Sequence, residues 1–220
     1  MDLREFHERH QTEDRVRRSR QEDLDVTFIR PSSDALQFFR AWMQNPLGIA
    51  SVTPSSRSLA QLITSEIDGH TGRVMELGPG TGVFTRALLE RGVSETDLTL
   101  VEREYGFAEM LKSRYPLAHI LNMDAARVKS CAIDNGQIGA TVSGLPLLSM
   151  SPKLVIAILD GSFSHMDRNG RFYQFTYGPK CPVRRELLDR LGLRAVRIGG
   201  TLQNFPPAAV YRISRRKPMN

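Results

Sequence analysis

Short apolar runs alternate with helical patterns along most of the chain. Several runs have the length and composition of buried strands. They span residues 73–76, 98–102, 119–122, 138–143 and 172–177. Between them, apolar residues recur three and four positions apart, as at Phe84, Ala87 and Leu88, which is typical of amphipathic helices. This alternation predicts a doubly wound α/β fold with a mostly parallel sheet.

The remaining patterns complete this architecture. Helices are predicted at residues 83–91, 152–159 and 182–191, and around Phe107 and Leu111 before Pro116. Two strand-like runs, 193–198 and 209–213, follow one another with no helix between them. They predict an antiparallel hairpin at the C-terminal end of the sheet.

The N-terminal quarter differs from the rest in composition. Residues 1–30 are dominated by charge and are expected to form an isolated helix or to lack fixed structure. Residues 31–52 contain a strongly apolar helical stripe with Phe38, Phe39 and Trp42, followed by a connector. The stripe either packs on the core or lies in lipid, because Trp and Phe favour membrane interfaces. Residues 53–217 are assigned to the α/β domain.

The net charge of +6 is concentrated near the C-terminus. Residues 171–220 hold eleven Arg and Lys residues but only two acidic ones, Glu186 and Asp189. An anionic partner is therefore expected there, either nucleic-acid phosphates or anionic lipid head groups. The alternative is a solvated basic face without a partner.

Several classes of protein are disfavoured by composition. No apolar run approaches the ~20 residues of a membrane span, and the charged N-terminus is unlike a secretory signal. Cys131 and Cys181 lack the spacing of metal ligands, so no metal is expected. Free cysteines without a disulfide pattern favour a reducing cytoplasm.

The segment from Glu76 to Gly82, Glu-Leu-Gly-Pro-Gly-Thr-Gly, lies between a predicted strand and a predicted helix. A P-loop needs Lys and Ser or Thr after its last glycine, and these are missing. The dinucleotide fingerprint G-x-G-x-x-G also differs from this spacing, and Glu76 would repel a pyrophosphate. Glu102, twenty residues beyond Gly82, ends the next strand, where a carboxylate meets ribose hydroxyls.

The pattern E-x-G-x-G-x-G resembles motif I of the class I S-adenosylmethionine-dependent methyltransferases. S-adenosylmethionine carries a sulfonium and an ammonium but no phosphate, which suits the carboxylate of Glu76. The resemblance implies a Rossmann-like fold and S-adenosylmethionine as cofactor, with S-adenosylhomocysteine as its product. Gly78, Gly80 and Gly82 would then lie under the cofactor, and Glu102 would accept from both ribose hydroxyls. A plain glycine turn remains the alternative.

Four further residues are assigned to the cofactor. Asp124 follows strand three, where the methyltransferase resemblance implies an acid that accepts the adenine amino hydrogen. Ser143, at the end of strand four, is placed on the cofactor side as well. Thr53 and Ser55 lie at a predicted helix start, whose hydroxyls and free N–H groups would bind the methionine carboxylate. A simple helix cap is an equally good interpretation of these two residues.

The segment after strand four reads Ser143-Gly-Leu-Pro-Leu147. Enzymes that methylate base amines usually carry Asn/Asp-Pro-Pro-Tyr or Asn-Leu-Pro-Tyr there. The amide accepts the amine hydrogen and the aromatic ring stacks on the flipped base. Here serine replaces the amide and leucine the aromatic residue. The rRNA adenine dimethylases share E-L-G-P-G-x-G, so this difference separates them from the present chain.

Several stretches together resemble the soluble bacterial phospholipid N-methyltransferases. They are residues 39–46, 52–56, 74–85, 143–146, 175–180 and 204–212. The resemblance implies stepwise methylation of phosphatidylethanolamine toward phosphatidylcholine by a cytoplasmic protein bound peripherally to the cytoplasmic membrane. Phospholipid and an anionic membrane surface would be its partners, and no nucleic acid is expected.

Candidate substrate residues follow from the chemistry. Methyl transfer needs a neutral amine, so His165 is a candidate proton acceptor, although such a histidine is more often a surface residue. Tyr177 is the second candidate catalytic residue. Tyr177 and Lys180, with support from Arg197, are assigned to the lipid phosphate. Two other functions stay open: an RNA adenine N-methyltransferase, and a membrane-adsorbing protein that uses the fold as a scaffold.

Overall fold

A computed structural model describes residues 54–133, 138–177, 180–201 and 207–216, with side chains from residue 57 onward. The predicted charged extension, the apolar helix of residues 31–52 and the predicted N-cap Thr53 lie outside the described residues. The backbone of Ser55 is described within a helix, but its side chain is not.

The described residues form five α-helices and seven strands. The helices are α1 (Pro54–Ile63), α2 (Val83–Glu90), α3 (Tyr105–Arg114), α4 (Pro152–His165) and α5 (Arg185–Arg190). The strands are β1 (Arg73–Leu77), β2 (Leu98–Glu102), β3 (His119–Asn122), β4 (Ile138–Ser143), β5 (Met166–Tyr177), β6 (Leu193–Thr201) and β7 (Ala208–Arg215). Short 3₁₀ turns at Glu95–Asp97, Ala125–Ser130 and Leu147–Ser149 join several of them.

The strands lie in the order β3-β2-β1-β4-β5-β7-β6. Strands β1 to β5 run parallel to their neighbours, whereas β7 pairs antiparallel with both β5 and β6. The predicted parallel sheet and C-terminal antiparallel hairpin are therefore confirmed. After β3 the chain crosses to the other side of β1, which places the topological switch point between β1 and β4.

Two apolar layers cover the faces of the sheet. Helices α1, α2 and α3 pack on the first face, where Val74, Leu100 and Phe175 are buried. Helices α4 and α5 and the 3₁₀ turn Ala125–Ser130 pack on the second face, which carries Met75 and Phe172. Because neighbouring strand residues point to opposite faces, the sheet separates these two cores.

Several predicted boundaries were wrong: β6 and β7 extend beyond the predicted 193–198 and 209–213, and three further differences have a visible cause. Helix α4 continues past Leu159 to His165, because Phe163 extends its apolar face into the second core. Strand β5 begins at Met166, within a stretch whose exposed charged residues hide its strand character. Helix α5 begins only at Arg185, since the preceding Val183 is buried in the second core outside any helix.

Part of the basic charge near the C-terminus is used inside the fold. Glu66 accepts from Arg212 at 2.7 Å and from the hydroxyl of Tyr173 at 3.1 Å. Arg215 donates to the backbone carbonyls of Phe163 in α4 and Asp167 in β5, and Arg216 pairs with Asp189. The charge pattern predicted an anionic partner for this region; the contacts give these three arginines an internal role instead.

The central strands supply a direct test of the first core. Leu100 is fully buried on β2, whereas Leu117 is 66% exposed after α3. Leu100→Ala is expected to lower the free energy of unfolding by about 2–5 kcal/mol through lost burial and a cavity. Leu117→Ala, the matched control, should change it by no more than about 0.5 kcal/mol. Urea titration followed by circular dichroism measures both; equal effects would contradict the described core.

Candidate cofactor and acceptor site

The segments after β1, β2 and β4 meet at the carboxyl edge of the sheet. The backbone N–H of Gly78 donates to Val101 O at 2.9 Å, and that of Gly144 donates to Leu77 O at 2.8 Å. Both bonds extend a parallel ladder by one residue beyond the strands. The glycine loop is therefore held against its two neighbours at the switch point, where ligands of open α/β sheets bind.

Positive φ values explain the glycines of the loop. Gly78, Gly80 and Gly82 have φ of 67°, 53° and 80°, a region that residues with a Cβ rarely adopt. A Cβ at Gly78 would lie 2.8 Å from the side chain of Leu145, and one at Gly82 would lie 3.1 Å from Tyr115. At Gly80 no atom lies within 4 Å of that position. The loop is thus packed at both ends and open at its centre.

Gly144 is a required glycine that sequence reasoning missed. A Cβ here would lie 2.6 Å from the carbonyl oxygen of Gly78, which is backbone and cannot move aside cheaply. Only glycine lets the segment after β4 approach the glycine loop this closely. The glycine directly after strand four is visible in Ser143-Gly-Leu-Pro-Leu147. Its close approach to the glycine loop, however, depends on the pairing of β1 with β4, which cannot be read from the sequence.

Glu76 lies on the first face at the end of β1 and is fully buried. Its Oε2 accepts a hydrogen bond from Thr85 Oγ1 at 2.6 Å, while its Oε1 is buried without a partner among the described residues. Burial raises the pKa of Glu76 to about 8, and the nearby Glu102 adds to the rise. A carboxyl group in this state is suited to a cationic ligand, which would supply the missing partner and favour the charged form. Thr85 was not anticipated as its partner.

Glu102 ends β2 and is nearly fully buried. Its Oε2 accepts from the backbone N–H of Gly80 at 3.0 Å, and its Oε1 accepts from the N–H of Glu104 at 2.8 Å. The carboxylate therefore ties the centre of the glycine loop to the segment after β2. Each oxygen keeps a second lone pair, so acceptance from ribose hydroxyls remains chemically available.

Asp124 follows β3 and is half-buried. Its Oδ1 accepts from the N–H of Ala126 at 2.9 Å, so the residue caps the 3₁₀ turn that follows. Asn122 Nδ2 donates to the carbonyl oxygens of Glu102 and Arg103, which holds the ends of β2 and β3 together. These contacts place Asp124 at the same edge of the sheet as Glu102, and its contact with adenine stays a prediction.

Tyr177 and Lys180, which were predicted to bind the lipid phosphate, lie at the end of β5 and just beyond it. Tyr177 is the last residue of β5, on the first face beside Phe175, with ring centroids 5.4 Å apart. Burial raises the pKa of Tyr177 to about 12, so its hydroxyl is a hydrogen-bond donor at neutral pH and no base. Lys180 is exposed three residues beyond the strand.

Arg197 is not brought together with Tyr177. It pairs in register with Tyr211 and lies near Gly200 on the second face, the opposite side of the sheet from Tyr177. A bulge between Arg197 and Gly199 interrupts β6 at this point. The strands as paired do not place Arg197 beside Tyr177, so its support for a phosphate held there stays a prediction.

His165 also lies away from its predicted place. It ends α4 beside Met166, which pairs with Ile138 at the start of β4, so it lies at the edge opposite the glycine loop. The ring is buried, and its Nε2 lies 2.8 Å from the carbonyl oxygen of Val128. The prediction of a proton acceptor at His165 is wrong, because the helix carries the residue away from the site.

Within the described ranges, no group of three or more His, Cys, Asp or Glu residues has an arrangement that could hold a metal ion. No protein-family model matches the chain. Among curated proteins, the ornithine lipid N-methyltransferase of Singulisphaera acidiphila is 28% identical over 190 residues, covering 81% of this chain and 94% of that protein. A ribosomal RNA small subunit methyltransferase A from Maridesulfovibrio salexigens is 34% identical over 73 residues, covering 33% of this chain and 27% of its own.

Solved structures agree on the fold. A TehB-like S-adenosylmethionine-dependent methyltransferase from Corynebacterium glutamicum superposes with a TM-score of 0.57 at 15% identity, covering 83% of this chain and all of that one. The chain has a class I methyltransferase fold. The 1,6-didemethyltoxoflavin-N1-methyltransferase of Burkholderia thailandensis, solved with S-adenosylhomocysteine, gives a TM-score of 0.54 at 16% identity over 86% of this chain and 93% of its own. The cofactor predicted from the glycine loop is therefore supported.

The burial of Glu76 makes stability depend on pH. Its pKa is about 8 in the folded protein against an ordinary value of 4.5, so the folded state favours the protonated form. The stabilisation of the folded state by this shift is complete below pH 4.5 and is lost as the pH rises to about 8. Relative to Glu76→Gln, which keeps an acceptor for Thr85, the free energy of unfolding of the wild type should fall by on the order of 4 kcal/mol across that window. Chemical unfolding of both proteins between about pH 5 and 9 measures this; parallel curves would contradict it.

Proposed function

We propose that this chain is an S-adenosylmethionine-dependent N-methyltransferase that acts on the primary amine of a membrane lipid head group, with phosphatidylethanolamine as its substrate. The observation that carries the proposal is the match to an ornithine lipid N-methyltransferase, which extends over 94% of that protein. The resemblance of six segments to phospholipid N-methyltransferases supports phosphatidylethanolamine as the particular lipid. Successive transfers would yield the mono-, di- and trimethyl forms, the last being phosphatidylcholine.

The cofactor end of the site fits this proposal. Glu76 Oε1 is a buried acceptor without a partner among the described residues, which suits the ammonium or sulfonium of S-adenosylmethionine. Glu102 fixes the glycine loop through Gly80 and keeps lone pairs for ribose hydroxyls. The open space at Gly80 lets a ligand approach the backbone there. The remaining proposed contacts of the same cofactor are Asp124, Ser143, Thr53 and Ser55.

The acceptor must be a neutral amine. S-adenosylmethionine supplies the methyl group: the nitrogen lone pair forms the new N–C bond as the C–S bond breaks, and the methylammonium product then loses a proton to solvent. A lysine-like amine is neutral only to about one part in a thousand near pH 7.4, which adds on the order of 4 kcal/mol to the barrier unless the site offsets it. Tyr177 and Lys180 would hold the lipid phosphate, the first as donor and the second as cation.

Lipid substrates place the protein at a membrane surface. Among the described helices, none combines the length and apolarity of a bilayer span. We propose peripheral attachment to the cytoplasmic membrane face, in which anionic lipid attracts the basic groups that have no internal role. Lys180, exposed after β5, belongs to this set.

RNA adenine N-methylation is the second candidate, and the local match to a ribosomal RNA methyltransferase favours it. That match covers only 33% of the chain. The segment after β4 argues against it, because Leu147 is buried in the second core instead of offering a ring to a flipped base. With Leu147 in the ring position, the four-residue motif begins at Gly144, which has no side chain to act as the amide. The neighbouring hydroxyl of Ser143 already accepts from the N–H of Leu145 at 3.3 Å.

Cofactor binding gives the first test. Glu102→Gln is expected to weaken the binding of S-adenosylmethionine about tenfold or more in calorimetry, because the amide offers one acceptor oxygen where the carboxylate offers two. Glu109→Gln on the exposed surface of α3 is the control and should bind as the wild type does. Equal affinities of the two variants would remove Glu102 from the site.

Substrate class is tested with labelled S-adenosylmethionine and separate vesicles of phosphatidylethanolamine, ornithine lipid and phosphatidylglycerol, beside ribosomal RNA. Label in methylated ethanolamine lipids is expected. Lys180→Ala should lower turnover of the phospholipid about tenfold through one lost charge-assisted contact, and Lys112→Ala on α3 should not. Label in ornithine lipid alone would correct the head group, label in RNA would favour the second candidate, and cofactor binding without transfer would indicate a scaffold protein.

A further inference from the structure

The proposed function requires the site to orient the amine of the substrate. Base methyltransferases use an amide side chain after strand four for this purpose, and this chain has none there. The segment after β4 begins with Ser143, whose hydroxyl already accepts from the N–H of Leu145. Directly across from Ser143 on the neighbouring strand lies Gln174, its register partner in the parallel β4–β5 pair. Register partners point to the same face of a sheet, so the two side chains lie side by side near the carboxyl edge.

The amide of Gln174 is fixed by two hydrogen bonds. Its Nε2 donates to the carbonyl oxygen of Leu145 at 2.9 Å and to that of Phe175 at 2.9 Å. Both partners are acceptors, so only the nitrogen of the amide can face them. The opposite orientation would set three carbonyl oxygens against one another. The position of Oε1 therefore follows from the chemistry of its surroundings.

That oxygen is a buried acceptor without a partner. Gln174 is only 1% exposed, and its Oε1 has no hydrogen-bond partner among the described residues. Leaving such a group unpaired in the interior costs free energy, and native structures seldom do so without a functional reason or a bound water. A glutamine with both donor hydrogens engaged and its acceptor vacant is arranged to receive an N–H group.

We propose that Gln174 supplies, from β5, the amide oxygen that accepts a hydrogen of the substrate amine. The inference rests on the proposed function, because it requires an amine as acceptor. Oε1 takes no proton in the reaction; it holds the N–H so that the nitrogen lone pair points at the methyl group. Low polarity around the buried oxygen makes this hydrogen bond stronger than it would be in water.

The side chain of Gln174 also connects the proposed position of the substrate amine to the glycine loop. Its partner Leu145 packs against Gly78, where a Cβ would lie 2.8 Å from the leucine side chain. Gln174 therefore fixes the segment that lies on the glycine loop, and the amine and the methyl donor are positioned by one connected set of contacts.

Successive methylations separate this role from a structural one. A neutral primary amine has two N–H groups, a monomethylated amine has one, and a dimethylated amine has none. An N–H acceptor can assist the first two transfers but has nothing to bind in the third. A residue that only supports the fold or holds Leu145 affects all three transfers alike.

The experiment compares phosphatidylethanolamine and its monomethyl and dimethyl forms as separate substrates in vesicles, using the full chain. Gln174→Met keeps the length of the side chain without its polar atoms, and Gln174→Ala is used if the first variant does not fold. Thr141→Val is the control, because Thr141 Oγ1 is another buried unpartnered atom, on β4, outside the site. Thermal melts and calorimetry with S-adenosylmethionine establish that each variant is folded and binds the donor.

Removing Oε1 of Gln174 is expected to lower kcat/KM about tenfold for the first transfer, because a fold-change of this size corresponds to roughly one lost hydrogen bond. The third transfer should change much less, by under about threefold, and Thr141→Val should leave the ratio of the three steps as in the wild type. Equal slowing of all three transfers, or no slowing, would overturn the role of Gln174. A wild-type protein that methylates none of these lipids would refute the proposed function, and the inference about the amine with it.

Discussion

The close approach of three backbone segments at the carboxyl edge is the constraint on which the rest of the site depends. Gly78 bonds to Val101, Gly144 bonds to Leu77, and Gly80 bonds to the carboxylate of Glu102. A Cβ at Gly144 would collide with backbone, so the approach exists only because glycine stands there. The contacts give the loop one fixed shape before any ligand arrives, which reduces the ordering that binding would otherwise require.

Two buried acceptors without partners among the described residues lie toward this edge of the sheet. Glu76 Oε1 lies at the end of β1 on the first face, and Gln174 Oε1 lies near the end of β5 on the second. Each costs stability in the isolated protein, and each is held in place by a well-made bond through its other polar atom. Such groups indicate where ligands with N–H or cationic groups are expected, and they are the basis of the contacts proposed for the methyl donor and the amine.

Some of the charged residues near the C-terminus form contacts inside the fold, and these are not available to a ligand. Glu66 joins the turn after α1 to β5 and β7 through Tyr173 and Arg212, several residues along these strands from Tyr177. The net charge of the last quarter of the sequence is therefore larger than the charge available to a binding partner. Tyr177 and Lys180 lie at and beyond the end of β5, away from the contacts of Glu66.

Apolar runs, helix periodicity and glycine spacing were enough to predict a parallel sheet, a closing hairpin and a loop beside Glu76 and Glu102. These features depend on local pattern, and local pattern can be read directly along the chain. Which distant residues meet could be learned only from the folded chain. It carries His165 to the opposite edge, Arg197 to the opposite face and Gln174 to the side of Ser143. Helix length, a bulge and strand register set these positions, and a shift of one residue in a strand's register moves its side chains to the other face.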